Sequence, residues 1–172
     1  MESLPKHLLY PADVFVPDKS YLVSTVLGSC VSVCLYSPDK QMGAINHYIL
    51  PLWNGSDLET MKYGNLSIIR IVEGLLSFGC NYDSIEAQVY GGAEVLTGAS
   101  TRFHIGQRNI AIANEMLKEF RIPITFSDVG GNRGRKITFN TQTGEVESYL
   151  IHRRKELDEL DETYHIIKNT NT

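Results

Sequence analysis

The 172-residue sequence lacks the run of about 18 uncharged apolar residues that a membrane-spanning helix needs. Its start, MESLPKHLLYPAD, carries Glu2, Pro5 and Pro11, without the basic opening and continuous apolar stretch of a secretory signal. Basic excess is missing too: 16 Lys and Arg against 20 Asp and Glu leave a net charge of −4. That balance argues against nucleic acid as a partner, because phosphate binding draws on clustered cations. Cysteine is scarce. Cys30, Cys34 and Cys80 are odd in number and form no CxxC, which disfavours a disulfide framework or a cysteine zinc site and fits free thiols in a reducing cytoplasm. No HxH, HExxH or acidic cluster suggests a metal, and neither Gly91-Gly92 nor the Gly130–Arg135 stretch fits a P-loop or a GxGxxG turn. Repeats, low-complexity tracts and Pro/Gly/Ser-rich linkers are absent, so one domain over residues 1–172 is expected.

What remains is a chain able to bury a core, 42% hydrophobic and 21% charged. Residues 1–20 read as an irregular arm with a short strand around Asp13–Val16. Strands are predicted over Tyr21–Leu27, Val31–Ser37, Gly43–Leu50, Ile85–Tyr90, Ile124–Val129, Lys136–Asn140 and Glu145–Ile151. In the second of these, Val31, Val33 and Leu35 alternate with Ser32, Cys34 and Tyr36, as in a strand with one face in a core. Helices are predicted over Asn65–Phe78, with Leu66, Ile69, Val72, Leu75 and Leu76 as the apolar stripe and Gly79 as the stop, and over Arg108–Phe120. In the second helix Ile110, Ala113, Leu117 and Phe120 share a face, and a tail over 152–172 puts Leu157, Leu160, Tyr164 and Ile167 at helical spacing. Strands outnumber helices and do not alternate with them. The expected class is therefore α+β, a layered sandwich of mixed β-sheets flanked by helices.

The sharpest chemical feature is Gly28-Ser29-Cys30, a break between two apolar strands that leaves a thiol at a strand start. Amides around Gly28 and Ser29 could there form an oxyanion hole. A lone cysteine is more often a small core residue, and a basic partner is what changes that reading. Hairpin register tests for one. A two-residue loop at Pro38-Asp39 sets Cys30 directly opposite His47, and a four-residue loop over Pro38–Gln41 sets it opposite Ile49 with His47 diagonal. Both registers put Cys30 and His47 on one face, within about 8 Å by Cα. A one-residue slip would separate them. Of the other histidines, His7, His152 and His165 read as solvated and His104 as a lesser competitor. Cys34 and Cys80 read as structural, and Trp53 as either a partner-facing anchor or a rim residue.

Together these segments resemble the chemoreceptor glutamine deamidase (CheD) family of bacterial and archaeal chemotaxis. The resemblance rests on LGSC-V-V-C at Leu27–Cys34, GA-x-x-H-x-x-LP at Gly43–Pro51, GGA at Gly91–Ala93, IG-x-RN at Ile105–Asn109 and D-x-GGN-R-G-R at Asp128–Arg135. These motifs run in family order across roughly residues 20–150. The family's nucleophile falls on Cys30 and its histidine on His47. Its third polar residue, usually threonine, falls on Ser24; either that hydroxyl substitutes, or neighbouring Thr25 takes the role through a strand shift. The stretch Glu94–Phe103 is longer than the family pattern.

The resemblance implies a fold related to toxin-type cysteine deamidases, without cofactor or metal. It implies a protein-glutamine glutaminase that hydrolyses glutamine side chains of methyl-accepting chemoreceptors through a Cys-His thioester, with glutamate methyl esters as further substrates in some members. A phosphatase of the CheC type is the implied partner. Gly91 and Gly92 would let backbone approach the substrate, and Arg108, Asn132, Arg133 and Arg135 would meet its acidic groups, unless the arginines are structural. Two rival readings are a cysteine protease or amidase on other substrates, and a non-catalytic module that docks the phosphatase or receptor. Retention of both Cys30 and His47 weighs against the second.

Overall fold

The computed structural model describes residues 3–95 and 104–151. The 152–172 tail and most of the long Glu94–Phe103 stretch lie outside the described residues.

Among the described residues, nine strands and two α-helices follow one another as β1 (Lys6–Leu8), β2 (Val14–Phe15), β3 (Leu22–Leu27), β4 (Val31–Ser37), β5 (Met42–Asn46), α1 (Gly64–Ser77), β6 (Glu86–Gly91), α2 (Ile105–Glu119), β7 (Ile124–Val129), β8 (Arg135–Asn140) and β9 (Val146–Leu150). They form a four-stranded sheet, β1-β3-β8-β9, and a five-stranded sheet, β2-β5-β4-β6-β7. Each mixes parallel with antiparallel pairs: β1 runs parallel to β3 and β7 to β6. This is the α+β layered sandwich that the strand count predicts.

Two cores explain the layers. One lies between the five-stranded sheet and the helices, built on Val31, Val33, Leu35, Ile68, Ile71, Leu75, Ile112 and Leu117. The other lies between the sheets, built on Leu9, Val23, Leu27, Cys34, Ile45, Tyr90, Ile137 and Phe139. β4 is therefore buried on both faces, and the expectation of one solvated face fails there. Ser32 and Cys34 are covered because the second sheet closes over them.

Helix α1 lies one residue N-terminal of its predicted span at both ends, and Gly79 just past its Phe78 cap has a φ of +79°, the left-handed conformation a C′ glycine supplies. Its stripe is turned from the expected one. Gly64, Ser67, Ile68, Ile71, Val72 and Leu75 are buried, whereas Leu76 is 39% exposed. The near absence of a side chain at Gly64 causes this: a Cβ there would lie 2.8 Å from the Tyr48 ring, so the helix approaches the sheet along that edge. Helix α2 begins three residues before the predicted start and buries Asn109, Ile112, Ala113 and Leu117.

The N-terminal arm is more regular than its prolines suggest. β1 extends the four-stranded sheet, and β2 pairs antiparallel with β5 at Val14–Asn46 and Phe15–Ile45. The arm thus stitches both sheets together at the edge where His47 emerges.

Candidate active site

The β4–β5 connection spans Pro38–Gln41, because Ser37 pairs with Met42, and Cys34 with Ile45. Of the two registers open to the sequence, the structure takes the four-residue loop. The ladder is interrupted after Ile45 and resumes at Val31–Tyr48, whose amides and carbonyls exchange bonds of 3.1 and 3.0 Å. Across the interruption Asn46 uses its side chain, accepting from the Val33 amide at 2.7 Å and donating to Ser67 Oγ at 2.9 Å. In this register Cys30 and His47 are diagonal neighbours on the face of β4 and β5 that looks toward the other sheet. Cys30 accordingly packs on the inter-sheet core.

His47 is 1% exposed. Its backbone is clamped by the arm, its N–H donating to Asp13 O at 3.0 Å and its carbonyl accepting from Ala12 N at 2.8 Å. Its Nδ1 lies 2.7 Å from Thr25 Oγ1, and that hydroxyl lies 2.8 Å from Leu9 O. A hydroxyl has one proton to give, and the carbonyl can only accept it. Thr25 therefore donates to Leu9 and accepts from Nδ1–H, which leaves the Nε2 lone pair as the base. Nε2 has no hydrogen-bond partner, nor has the buried Ser32 Oγ across the strand pair.

Ser24 is not beside His47. Its Oγ lies 3.0 Å from Thr138 Oγ1 on β8, on the opposite face of β3. Alternation along the strand puts residues 24 and 25 on opposite faces, and β3 keeps an unbroken register with β8. Thr25 reaches the imidazole without any strand shift.

Burial dominates the electrostatics. It pushes the Cys30 thiol up to about 11, opposed by the residue's own amide N–H facing the sulfur. Burial likewise depresses His47 to about 4. Both shifts disfavour charge, so Cys30 rests as a neutral thiol and His47 as a neutral imidazole.

The glycines are explained by close backbone approach. A Cβ on Gly91, whose φ is +108°, would sit 2.2 Å from Cys30 O, and Gly92 N donates to that carbonyl at 2.8 Å. Ala93 N donates to Gly28 O at 2.9 Å, so Gly28, Cys30 and the Gly91–Ala93 segment are laced together. Gly106 at the start of α2 packs as tightly, since its Cβ would lie 2.4 Å from Gly92 O. That contact seats Asn109, one turn on, against the cysteine loop. Asn109 Nδ2 donates to Ser29 O at 3.0 Å and to Ile49 O at 2.9 Å.

The loop after β7 joins the same rim, with Gly130 N donating to Gly91 O at 2.8 Å and Glu94 N to Gly131 O at 2.9 Å. It carries the exposed Asn132 and the half-buried Arg133. Arg135 is structural: 2% exposed, it pairs with Asp128 at 2.8 Å and donates to Gly130 O. Arg108 is exposed on α2, beside Asn109. Trp53 is half-buried, its indole N–H donating to Asp57 O at 2.8 Å. No cluster of His, Cys, Asp or Glu suited to a metal occurs among the described residues, and no described helix is long and apolar enough to cross a membrane.

Sequence reasoning assigned no role to Asn109 or Ser32. Asn109 closes the IG-x-RN motif, a signal in plain view. A thiol at a strand break, an imidazole with one nitrogen fixed and the other unpartnered, and a backbone-lined rim define the class: a site suited to cysteine-dependent acyl transfer.

The model of the family described as "CheD chemotactic sensory transduction" matches residues 49–149, a span that begins just after His47. A probable chemoreceptor glutamine deamidase CheD of Trichlorobacter lovleyi is 43% identical over 141 residues, covering 82% of this chain and 88% of the relative. Its counterpart of Sulfurimonas denitrificans is 41% identical over 142 residues, 82% of this chain and 91% of the relative. Probable chemoreceptor glutamine deamidase CheD 1 of Anaeromyxobacter dehalogenans is 35% identical, with 79% of both chains covered. The chain belongs to the CheD family.

Proposed function

We propose that this chain is a chemoreceptor glutamine deamidase that uses Cys30 as nucleophile, His47 as base and acid, and Thr25 as the residue that orients the imidazole. The observation that carries this reading is the Thr25–His47 contact of 2.7 Å, which aims an unpartnered Nε2 from a buried ring on the cysteine's face of the sheet. The relatives' names supply the substrate.

Because the resting pair is neutral, proton transfer accompanies attack. As sulfur bonds to the carboxamide carbon, Nε2 takes the thiol proton and the carbonyl oxygen becomes an oxyanion held by backbone N–H at Cys30. The imidazolium gives that proton to the departing nitrogen, which leaves as ammonia with the C–N bond broken and a thioester formed. Water, deprotonated by His47, then attacks the thioester. Glutamate is released and the thiol regains its proton. Glutamate methyl esters would react by the same steps, with methanol leaving.

We place the protein in the cytoplasm, where free Cys30, Cys34 and Cys80 remain reduced. Gly91, Gly92, Arg108, Asn132 and Arg133 line or flank the rim on which a receptor helix would rest. A CheC-type phosphatase competing for that rim is the partner this reading suggests. The test is to incubate the protein with a receptor cytoplasmic fragment and follow glutamine-to-glutamate conversion by peptide mass spectrometry. Conversion by the native protein and none by Cys30→Ala is expected. No conversion by either would refute the assignment.

A further inference from the structure

We infer that Asn109 is a positioning residue that aims the oxyanion-binding amide of Cys30. This rests on the deamidase reading of the site. Asn109 is fully buried, and both protons of its Nδ2 are spent on two carbonyls: Ser29 O at 3.0 Å, one residue before the nucleophile, and Ile49 O at 2.9 Å, opposite the nucleophile in the hairpin register. Its Oδ1 is buried without a partner. That fixes which way the amide lies, since the reverse orientation would set Oδ1 against two acceptors and leave the donors unused.

The consequence follows from peptide geometry. Ser29 C=O and Cys30 N–H belong to one peptide unit, which is planar and trans, so they point in opposite directions. Holding the Ser29 carbonyl against α2 turns the Cys30 N–H away from that helix. That N–H belongs to the residue whose sulfur attacks. A carbonyl under attack by that sulfur would develop its charge within reach of this N–H. The Gly106–Gly92 contact sets the depth of α2, and the Tyr48 hydroxyl, donating to Asn109 O, pins the same turn. Asn109 thereby also ties the two chain segments that bear Cys30 and His47 across the interrupted ladder.

The experiment separates aim from integrity by comparing two reactions of one thiol. Deamidation of a receptor fragment needs an oxyanion donor, whereas alkylation of Cys30 by iodoacetamide develops no oxyanion. Asn109→Ala and the near-isosteric, uncharged Asn109→Leu should each lower kcat by about 10–100-fold, part of what an oxyanion donor contributes. KM should hold, and so should the alkylation rate and its pH profile. Leu117→Ala, which opens a cavity in the same helix away from the loop, should lower Tm while keeping kcat. Unchanged kcat in the Asn109 variants would overturn the inference, and so would kcat and alkylation falling together. If neither variant folds, the native protein decides. Through-hydrogen-bond coupling between the Asn109 side-chain amide and the Ser29 carbonyl carbon is expected in its NMR spectrum, and absence of that coupling overturns the inference. Native protein that deamidates nothing would instead refute the functional reading itself.

Discussion

Thr25 Oγ1 and His47 Nδ1 lie 2.7 Å apart, and because the hydroxyl proton is committed to Leu9 O, the ring nitrogen must be the donor. The tautomer is thus written into the backbone of the N-terminal arm. Thr25→Val removes the hydroxyl at nearly constant volume and frees the ring to rotate or change tautomer. It should lower kcat by about 10–100-fold, a share of what positioned acid–base groups contribute. Thr25→Ser should keep most of the activity, and Ser24→Ala, which loses only the contact with Thr138, should stay near the native rate. Steady-state assays on a receptor fragment check all three, and a Ser24→Ala defect as deep as that of Thr25→Val would reverse the assignment.

Coupling between thiol and imidazole has its own readout. With Cys30 raised to about 11 and His47 lowered to about 4, little thiolate exists near neutrality. Alkylation of native Cys30 should be slow at pH 7 and climb steeply in the alkaline range. His47→Ala should abolish deamidation and displace the alkylation curve to higher pH, since no base then assists the sulfur. An alkylation curve that the substitution leaves unmoved would mean that the two side chains do not communicate.

The elements that could be read from the sequence are those whose signal is local. Val31–Ser37 and Ile124–Val129 are strands over their predicted spans, because β-branched and aromatic residues between turn signals leave no competing pattern. Cys30 and His47 fall on one face in either loop register, so their placement on a common face did not depend on which hairpin loop formed. What stayed hidden was tertiary. Nothing in the strand Leu22–Leu27 says which face meets the other sheet, so Ser24 and Thr25 were equivalent until the packing of the sheets buried Val23, Thr25 and Leu27 together. The second core under Ser32 and Cys34 depends on a sheet of which two strands, β8 and β9, lie a hundred positions away. Asn109 shows the same limit: its spacing marks a helix face, while its role comes from carbonyls on two distant loops.

The Gly91–Gly92 pair makes a sharper steric prediction than its composition suggests. Gly91 holds φ at +108°, and an added Cβ would meet Cys30 O at 2.2 Å, so Gly91→Ala must both strain its backbone and push the nucleophile's carbonyl. Gly131 has a similar positive φ of +76° but nothing within 4 Å of its would-be Cβ. Backbone strain alone costs about 1–3 kcal/mol. Gly131→Ala should show that cost in urea unfolding and retain deamidation, whereas Gly91→Ala should lose more stability and nearly all activity. Equal effects at the two positions would mean that the contact with Cys30 O carries no weight.

Acid should loosen the fold through His47. In the folded protein its pKa is about 4, against 6.5 for an ordinary histidine, because the neutral ring is buried. Between those values the unfolded chain holds a proton that the native state refuses, so stability rises with pH across that window. The contribution is complete above the unfolded value and is lost as pH falls toward the folded one. The full loss amounts to about 3 kcal/mol. His7, also lowered by burial, acts in the same direction. His47→Asn cannot titrate, so although less stable at neutral pH it should lose less on acidification. Urea unfolding of both proteins at neutral pH and near pH 4 measures the difference of differences directly. Parallel loss in the two would mean that other groups carry the acid sensitivity and that His47 accepts its proton without resistance from the fold.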